Sequence, residues 1–414
     1  MNILKQFGLG ALFLEDQKMK PQVIASCISM YTALLVFSAS AVTLQKEILT
    51  KYNDLTPWFF LIMIGSGFSF VINMALPQIL SEFSGTRVLS SLAFLGFVIF
   101  FFHFSLNNFT SLFVATLIIF ILNLLTQATG VTVVNQLVKD SYLARFLGFN
   151  AFASNIALAL GPFLSYYLVP YYSSTLNFAF LAAFGIVSVI TFRVKNPLKK
   201  ETVPLAPRKF SLKETFSSFA VFKRNKVFFI MIMASCVNMS SLGNLLFFWG
   251  PDYGMTADSG KILQTFFFVG ATFFTLPFGF MADRFNLTKI FTLVLSMYSL
   301  CYIVLGFNYV FGYIDYIALF LIGGCAGSGV ILNNSFIGKH LRNSVAKSTS
   351  AFYVSWILCS IVMTYVGSEI IEKFGAINLN RCLAIFNLVM LVLFLFFARK
   401  DEYLKNNVST TQSK

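Results

Sequence analysis

Apolar residues in this chain come in long unbroken runs rather than in short alternating or heptad-like patterns. Twelve runs stand out: 22–44, 58–80, 88–105, 110–138, 146–169, 177–194, 227–248, 260–281, 289–308, 312–338, 348–371 and 380–398. Each is long enough to cross a hydrocarbon core of about 30 Å as a helix. Continuity favours helices over a barrel, whose strands would alternate, because lipid leaves no backbone group to be satisfied by solvent. The pattern predicts an all-α integral membrane protein with twelve transmembrane helices.

Composition and charge sharpen this. The 414-residue chain is 57% hydrophobic and 11% charged, against about 25% charged residues in a soluble domain. Placing both termini in the cytoplasm puts 25 of the 30 Lys and Arg on that side and 5 outside, a strong positive-inside signal. The net charge of +14 then belongs to basic loops facing an anionic leaflet, and no nucleic-acid partner is needed. A multi-pass protein of a bacterial inner (plasma) membrane is the expectation. Residues 1–20 carry Lys5, Glu15, Asp16, Lys18 and Lys20, which does not resemble a cleaved leader. A short surface helix there and a simple lead into the first span are both open. The six cysteines fall within or beside spans and match no metal or disulfide pattern.

The polar segment 195–226, with Pro197, Pro204 and Pro207, separates six spans from six. The expected division is an N-terminal bundle (1–194), a cytoplasmic linker (195–226) with a surface helix near 211–222, a C-terminal bundle (227–398) and a cytoplasmic tail (399–414). Adding about 201 to the limits of the first six spans lands on the second six. Parallel six-helix repeats related by an axis along the membrane normal are a transporter layout.

Almost every apolar run is free of charge, yet one junction carries Asp283, Arg284 and Lys289 within seven residues, behind a Gly and a Pro. LPFGFMADRFNLTKIF (Leu276–Phe291) has a counterpart, LPQILSEFSGTRVL (Leu76–Leu89), one repeat earlier. Both place Leu-Pro near the end of an even-numbered span, an acid a few residues on, and a base as the next span begins. A carboxylate at such a turn can accept from a helix N-terminus and pair with a base across the gap between halves. An ion pair of that kind is a bistable element. Glu82, Gly85, Arg87, Gly279, Asp283, Arg284 and Lys289 are therefore candidate gating residues.

The second copy resembles the loop signature of the major facilitator superfamily, Gly-x-x-x-Asp-Arg-x-Gly-Arg-Arg/Lys, through Gly279, Asp283, Arg284 and Lys289. Asn286 stands where the second Gly is usual and is expected in a left-handed backbone. In the first copy Gly85 and Arg87 match, Glu82 replaces the Asp and Gln78 the leading Gly. Asp140-x4-Arg145-x2-Gly148 also resembles the family, and Gly161-Pro162 resembles a reduced antiporter signature, which implies a helix bend. The resemblance implies two six-helix bundles rocking about a central site, with spans 1, 4, 7 and 10 lining the cavity and spans 3, 6, 9 and 12 facing lipid.

Side-chain polarity agrees with that layout. Spans 4, 7 and 10 carry Asn123, Gln127, Asn135, Gln136, Ser235, Asn238, Ser241, Asn244, Asn333 and Asn334, and span 1 carries Tyr31 and Thr32. Polar groups in lipid are costly, so such clusters face an interior. Candidate substrate contacts are Tyr31, Thr32, Asn123, Gln127, Asn238, Ser241 and Asn333; hydrogen bonding between helices is the alternative use. No charged residue lies near the middle of a span, and Glu47, Asp315 and Glu369 sit near outer ends. With two distant histidines and no buried carboxylate pair, an enzyme is not expected. Neither a cofactor nor a metal is called for. The expected function is secondary or facilitated transport of a small neutral or zwitterionic solute, such as an amino acid, by a monomer. Efflux of an amphipathic compound such as a drug or siderophore is the alternative.

Overall fold

The computed structural model describes residues 21–52, 56–105, 109–138, 140–163, 187, 219–246, 249, 251–254 and 259–400. These form α1 (Pro21–Tyr52), α2 (Thr56–Glu82), α3 (Gly85–Ser105), α4 (Phe109–Leu137), α5 (Asp140–Phe163), a short α6 (Ala220–Arg224), α7 (Lys226–Leu245), α8 (Ser259–Arg284), α9 (Leu287–Phe307), α10 (Tyr313–His340), α11 (Val345–Phe374) and α12 (Ala376–Lys400). Spans one to five and seven to twelve each fall on one long helix, and nine of these are long and apolar enough to cross a membrane. The leader, the sixth span but for Val187, most of the linker and the tail beyond residue 400 lie outside the described residues.

Two local readings are corrected. The fifth helix begins at Asp140, six residues before the apolar run at 146, because a polar first turn at the membrane edge is still helical. Asn286 has φ −64° and ψ 125°, not a left-handed conformation, and its side chain accepts from Thr288 N at 2.8 Å to cap α9.

Each half builds the same packing. α1 lies on α4 and α5 as α7 lies on α10 and α11, α2 and α3 flank α4, and α8 and α9 flank α10. Glycine lets α8 and α10 touch along their backbones: a Cβ on Gly323 or Gly270 would strike the carbonyl of Phe267 or Phe320. Asn387, an amide on a span expected to face lipid, turns inward. It exchanges hydrogen bonds of 2.8 and 3.0 Å with Asn238 of α7, and both residues are fully buried.

The end of the second half opposite the α8–α9 turn is closed by a polar clasp. Tyr253 Oη donates to Leu305 O (2.7 Å) and accepts from Asn380 Nδ2 (2.8 Å). Burial pushes this phenol well above its ordinary pKa, with the Asn380 amide pulling the other way, so it stays a donor. Asp252 accepts from Ala376 N at 2.5 Å at the start of α12. Gly375, at φ +84°, makes the sharp turn out of α11 that this cap needs. Asp315 accepts from Gly312 N and Asn308 Nδ2, both at 2.8 Å, which makes it a cap of α10.

The core shows how the halves meet. One continuous cluster joins Val23, Leu76, Val134, Leu143 and Leu147 of the first half to the second. All lie toward the ends of their helices that carry the α8–α9 turn, the basic face. Toward the other end the first half keeps separate clusters, Val36–Ala39–Ala93–Ile119 and Leu44–Leu61–Ile62. Among the described residues, this shared cluster lies mainly toward one end of the halves.

Candidate functional site

Asp283, in the last turn of α8, is the centre of that junction. Its carboxylate is fully buried. It accepts from the backbone amides of Ala144 (3.2 Å) and Arg145 (2.9 Å) near the start of α5, from Arg145 Nε (3.1 Å) and from Lys339 Nζ (3.0 Å) at the end of α10. Lys339 also donates to Ala282 O at 3.0 Å. One carboxylate thus meets two cations and the positive end of a helix dipole. Such satisfaction is what makes a buried charge tolerable.

Backbone contact brings the carboxylate this close. A Cβ on Gly279 would lie 2.7 Å from Ala144 O and 3.1 Å from the Gly148 Cα. A Cβ on Gly148 would lie 2.7 Å from Thr275 O. The two glycines of separate sequence motifs are one crossing point of α5 and α8. The Phe280 ring lies between two guanidinium groups, Arg145 at 4.9 Å and Arg284 at 4.4 Å. Lys289 is exposed.

The first-half copy is used differently. Gly85 starts α3, where a Cβ would come 2.5 Å from Val133 of its own half. Arg87 is exposed, its amide donating to Ser84 Oγ at 3.3 Å. Glu82 ends α2. The seam on this side lies a turn or more deeper, where Ser350 Oγ of α11 donates to Asn73 O of α2 at 2.5 Å.

At mid-depth the polar candidates separate into two groups. Gln127 Nε2 donates to Met30 O (2.8 Å) and to Asn123 Oδ1 (3.4 Å), and Gln127 and Tyr31 are half-buried. Thr32 and Asn123 are buried beside them. In the second half Asn333 Nδ2 reaches Ser235 Oγ (2.8 Å), Gly329 O (2.8 Å) and Met231 O (3.4 Å). Both halves therefore tie the fourth helix of the repeat to a methionine carbonyl on the first, and Met30 and Met231 stand 201 positions apart. Ser241 bonds back to Val237 O at 2.6 Å, and Asn238 is taken up by Asn387. Gly161 and Pro162 lie in the last turn of α5.

The family model of the Major Facilitator Superfamily matches residues 23–260 and 252–413. The chain belongs to the Major Facilitator Superfamily. Members of this superfamily are transporters, in keeping with the expectation that the chain is no enzyme. It is 28% identical over 164 residues, 37% of this chain, to an uncharacterized transporter of Buchnera aphidicola (Acyrthosiphon pisum). That match spans only 41% of the relative's length. The fold is similar to the crystal structure of the human organic anion transporter MFSD10, with a TM-score of 0.75 at 13% identity over 91% of this chain and all of that one. It is also similar to the superfamily transporter FucP in its outward conformation, with a TM-score of 0.65 at 17% identity over 90% and 97%.

Lys339 and the partnership of Arg145 with Asp283 were not read from the superfamily signature. A trace existed: Lys139 ends the fourth apolar run much as Lys339 ends the tenth, and a lone buried acid calls for bases. Ser350 gave no signal, since a serine on an interior helix is ordinary.

Proposed function

We propose that this superfamily protein carries a small neutral or zwitterionic solute across the membrane by alternating access, with the basic face cytoplasmic and closed in the conformation described above. The observation that carries the reading is the fully buried Asp283 carboxylate, which bonds both halves at the end of the molecule that carries the α8–α9 turn. A junction of ion pairs at one face is what a rocking mechanism needs: the pairs hold one state and break in the other. The charge split supports cytoplasmic termini, and the Buchnera relative supports a bacterial inner membrane. The division into bundles 1–194 and 227–398 about the 195–226 linker belongs to the same reading.

Tyr31, Thr32, Asn123 and Gln127 are the substrate contacts of the first half, and Asn333 with Ser235 stands opposite. Asn238 and Ser241 serve helix packing. Hydroxyls and amides without a mid-membrane charge suit a solute with no net charge, and uptake of an amino acid is the favoured instance. Efflux of an amphipathic compound would use the same site in reverse. The test is uptake of a labelled amino-acid panel into proteoliposomes, with and without a proton gradient. Saturable uptake by the native protein that falls more than tenfold in Asp283→Asn supports the reading; uptake unchanged by that substitution contradicts it.

A further inference from the structure

α11 has two unlike sides. Leu358, Val362, Tyr365 and Val366 form an exposed, mainly apolar stripe, the side that meets lipid. Trp356 is about 200° round the helix from Leu358, at roughly 100° per residue. It shares its side with Tyr353, Ser360 and Thr364, one polar face at helical spacing. That face lies between the contact with α7, where Gly367 meets Leu245, and the contact with α2, where Ser350 meets Asn73. Trp356 is eleven residues from the start of α11, about 16 Å at a rise of about 1.5 Å per residue. Tyr31 and Gln127 are each ten residues from the same face, about 15 Å by the same rise. The three side chains share one level.

The indole is held as a wall. Its ring is stacked on Tyr353 (6.2 Å between centroids, 11°) and meets the edge of Phe352 (5.9 Å, 65°). It is half-buried. Tyr31 is half-buried as well. A fixed, half-buried aromatic face at about the depth of amides and a hydroxyl is the make-up of a ligand pocket.

We propose that Trp356 is a further substrate contact from the second half, and that the solute is a zwitterion bearing an aromatic or broad apolar group that lies on the indole. The charged ends of the solute go to Tyr31, Asn123 and Gln127. This rests on the transport reading above and narrows its substrate class.

The chain has three tryptophans, Trp58, Trp249 and Trp356, so a Trp58→Phe/Trp249→Phe protein reports Trp356 alone. In proteoliposomes, aqueous acrylamide is expected to quench this emission and brominated phosphatidylcholine to leave it unchanged. The reverse pattern places Trp356 in lipid and overturns the proposal, whatever the protein transports. L-Phenylalanine is expected to reduce acrylamide quenching at least twofold and L-alanine not to. Protection by neither overturns the substrate class. In the otherwise native protein, Trp356→Ala is expected to lower phenylalanine uptake about tenfold, with Trp356→Phe keeping most of it. Phenylalanine uptake unchanged in Trp356→Ala overturns the contact while leaving transport itself intact. No uptake of any solute by the native protein sinks the transport reading instead.

Discussion

The α8–α9 turn and the α2–α3 turn carry nearly the same residue types in the same order, yet among the described side chains only those of the first bridge the halves. Asp283 reaches Ala144, Arg145 and Lys339, whereas Gly85 packs on Val133 of its own half and Arg87 is exposed. The difference begins one turn earlier. Gly279 lets α8 touch α5 at Gly148; the first copy has Gln78 in place of Gly279, and Thr349 stands 201 positions after Gly148. Two glycines facing each other allow backbone contact. The base differs too, since Ala346 stands 201 positions after Arg145. Asp283 becomes a latch because small residues and bases on the facing helices let it be buried and paired.

The largest effect expected from breaking this asymmetry is at the carboxylate. Asp283→Asn leaves Arg145 and Lys339 without their anion, and breaking such a buried pair costs about 3–5 kcal/mol. Transport should fall more than tenfold at normal membrane insertion, measured by uptake against protein content. Glu82→Gln should change uptake less than threefold, and an equal loss in the two variants would erase the distinction between the turns. Next comes the crossing point. Gly279→Val should hold the basic face open and cut uptake several-fold, while Gln78→Ala stays within twofold; reporter accessibility from that face checks both. Ser350→Ala removes the side-chain bond from α11 to Asn73 O of α2 and should cost about 1 kcal/mol of thermal stability. Smallest are the caps. Asn286→Ala and Ser84→Ala each lose an N-terminal acceptor and should lower stability alike, by about 1 kcal/mol or less, because capping is local and indifferent to what the turn does across the seam.

Much of the architecture was legible because lipid makes apolar length a direct readout of each span. The helices overran the spans wherever their ends were polar. Asp140 to Arg145 lowered the apolar signal of the fifth run, yet that turn is helical and supplies the amides that Asp283 accepts. The importance of Asp283 was visible from its position, but its partners were not, since Arg145 and Lys339 are distant in sequence and only packing brings them together. Among polar mid-span residues the sequence could not separate a cavity amide from a packing amide. Asn238 and Gln127 look alike on the page; Asn387 on another helix decides that Asn238 packs. Asn286 misled because an asparagine suits both a left-handed turn and a helix cap, and its neighbour Thr288 selects the cap.

The most direct test of the latch is the accessibility of the seam it closes. Leu143 is fully buried against Gly338 between the halves. In a protein with its six native cysteines replaced, Leu143→Cys should resist a membrane-impermeant maleimide applied to the basic face in inside-out vesicles. Adding Asp283→Asn should raise its labelling rate at least tenfold, while adding Glu82→Gln should not. Equal labelling with and without the Asp283 carboxylate would contradict the account.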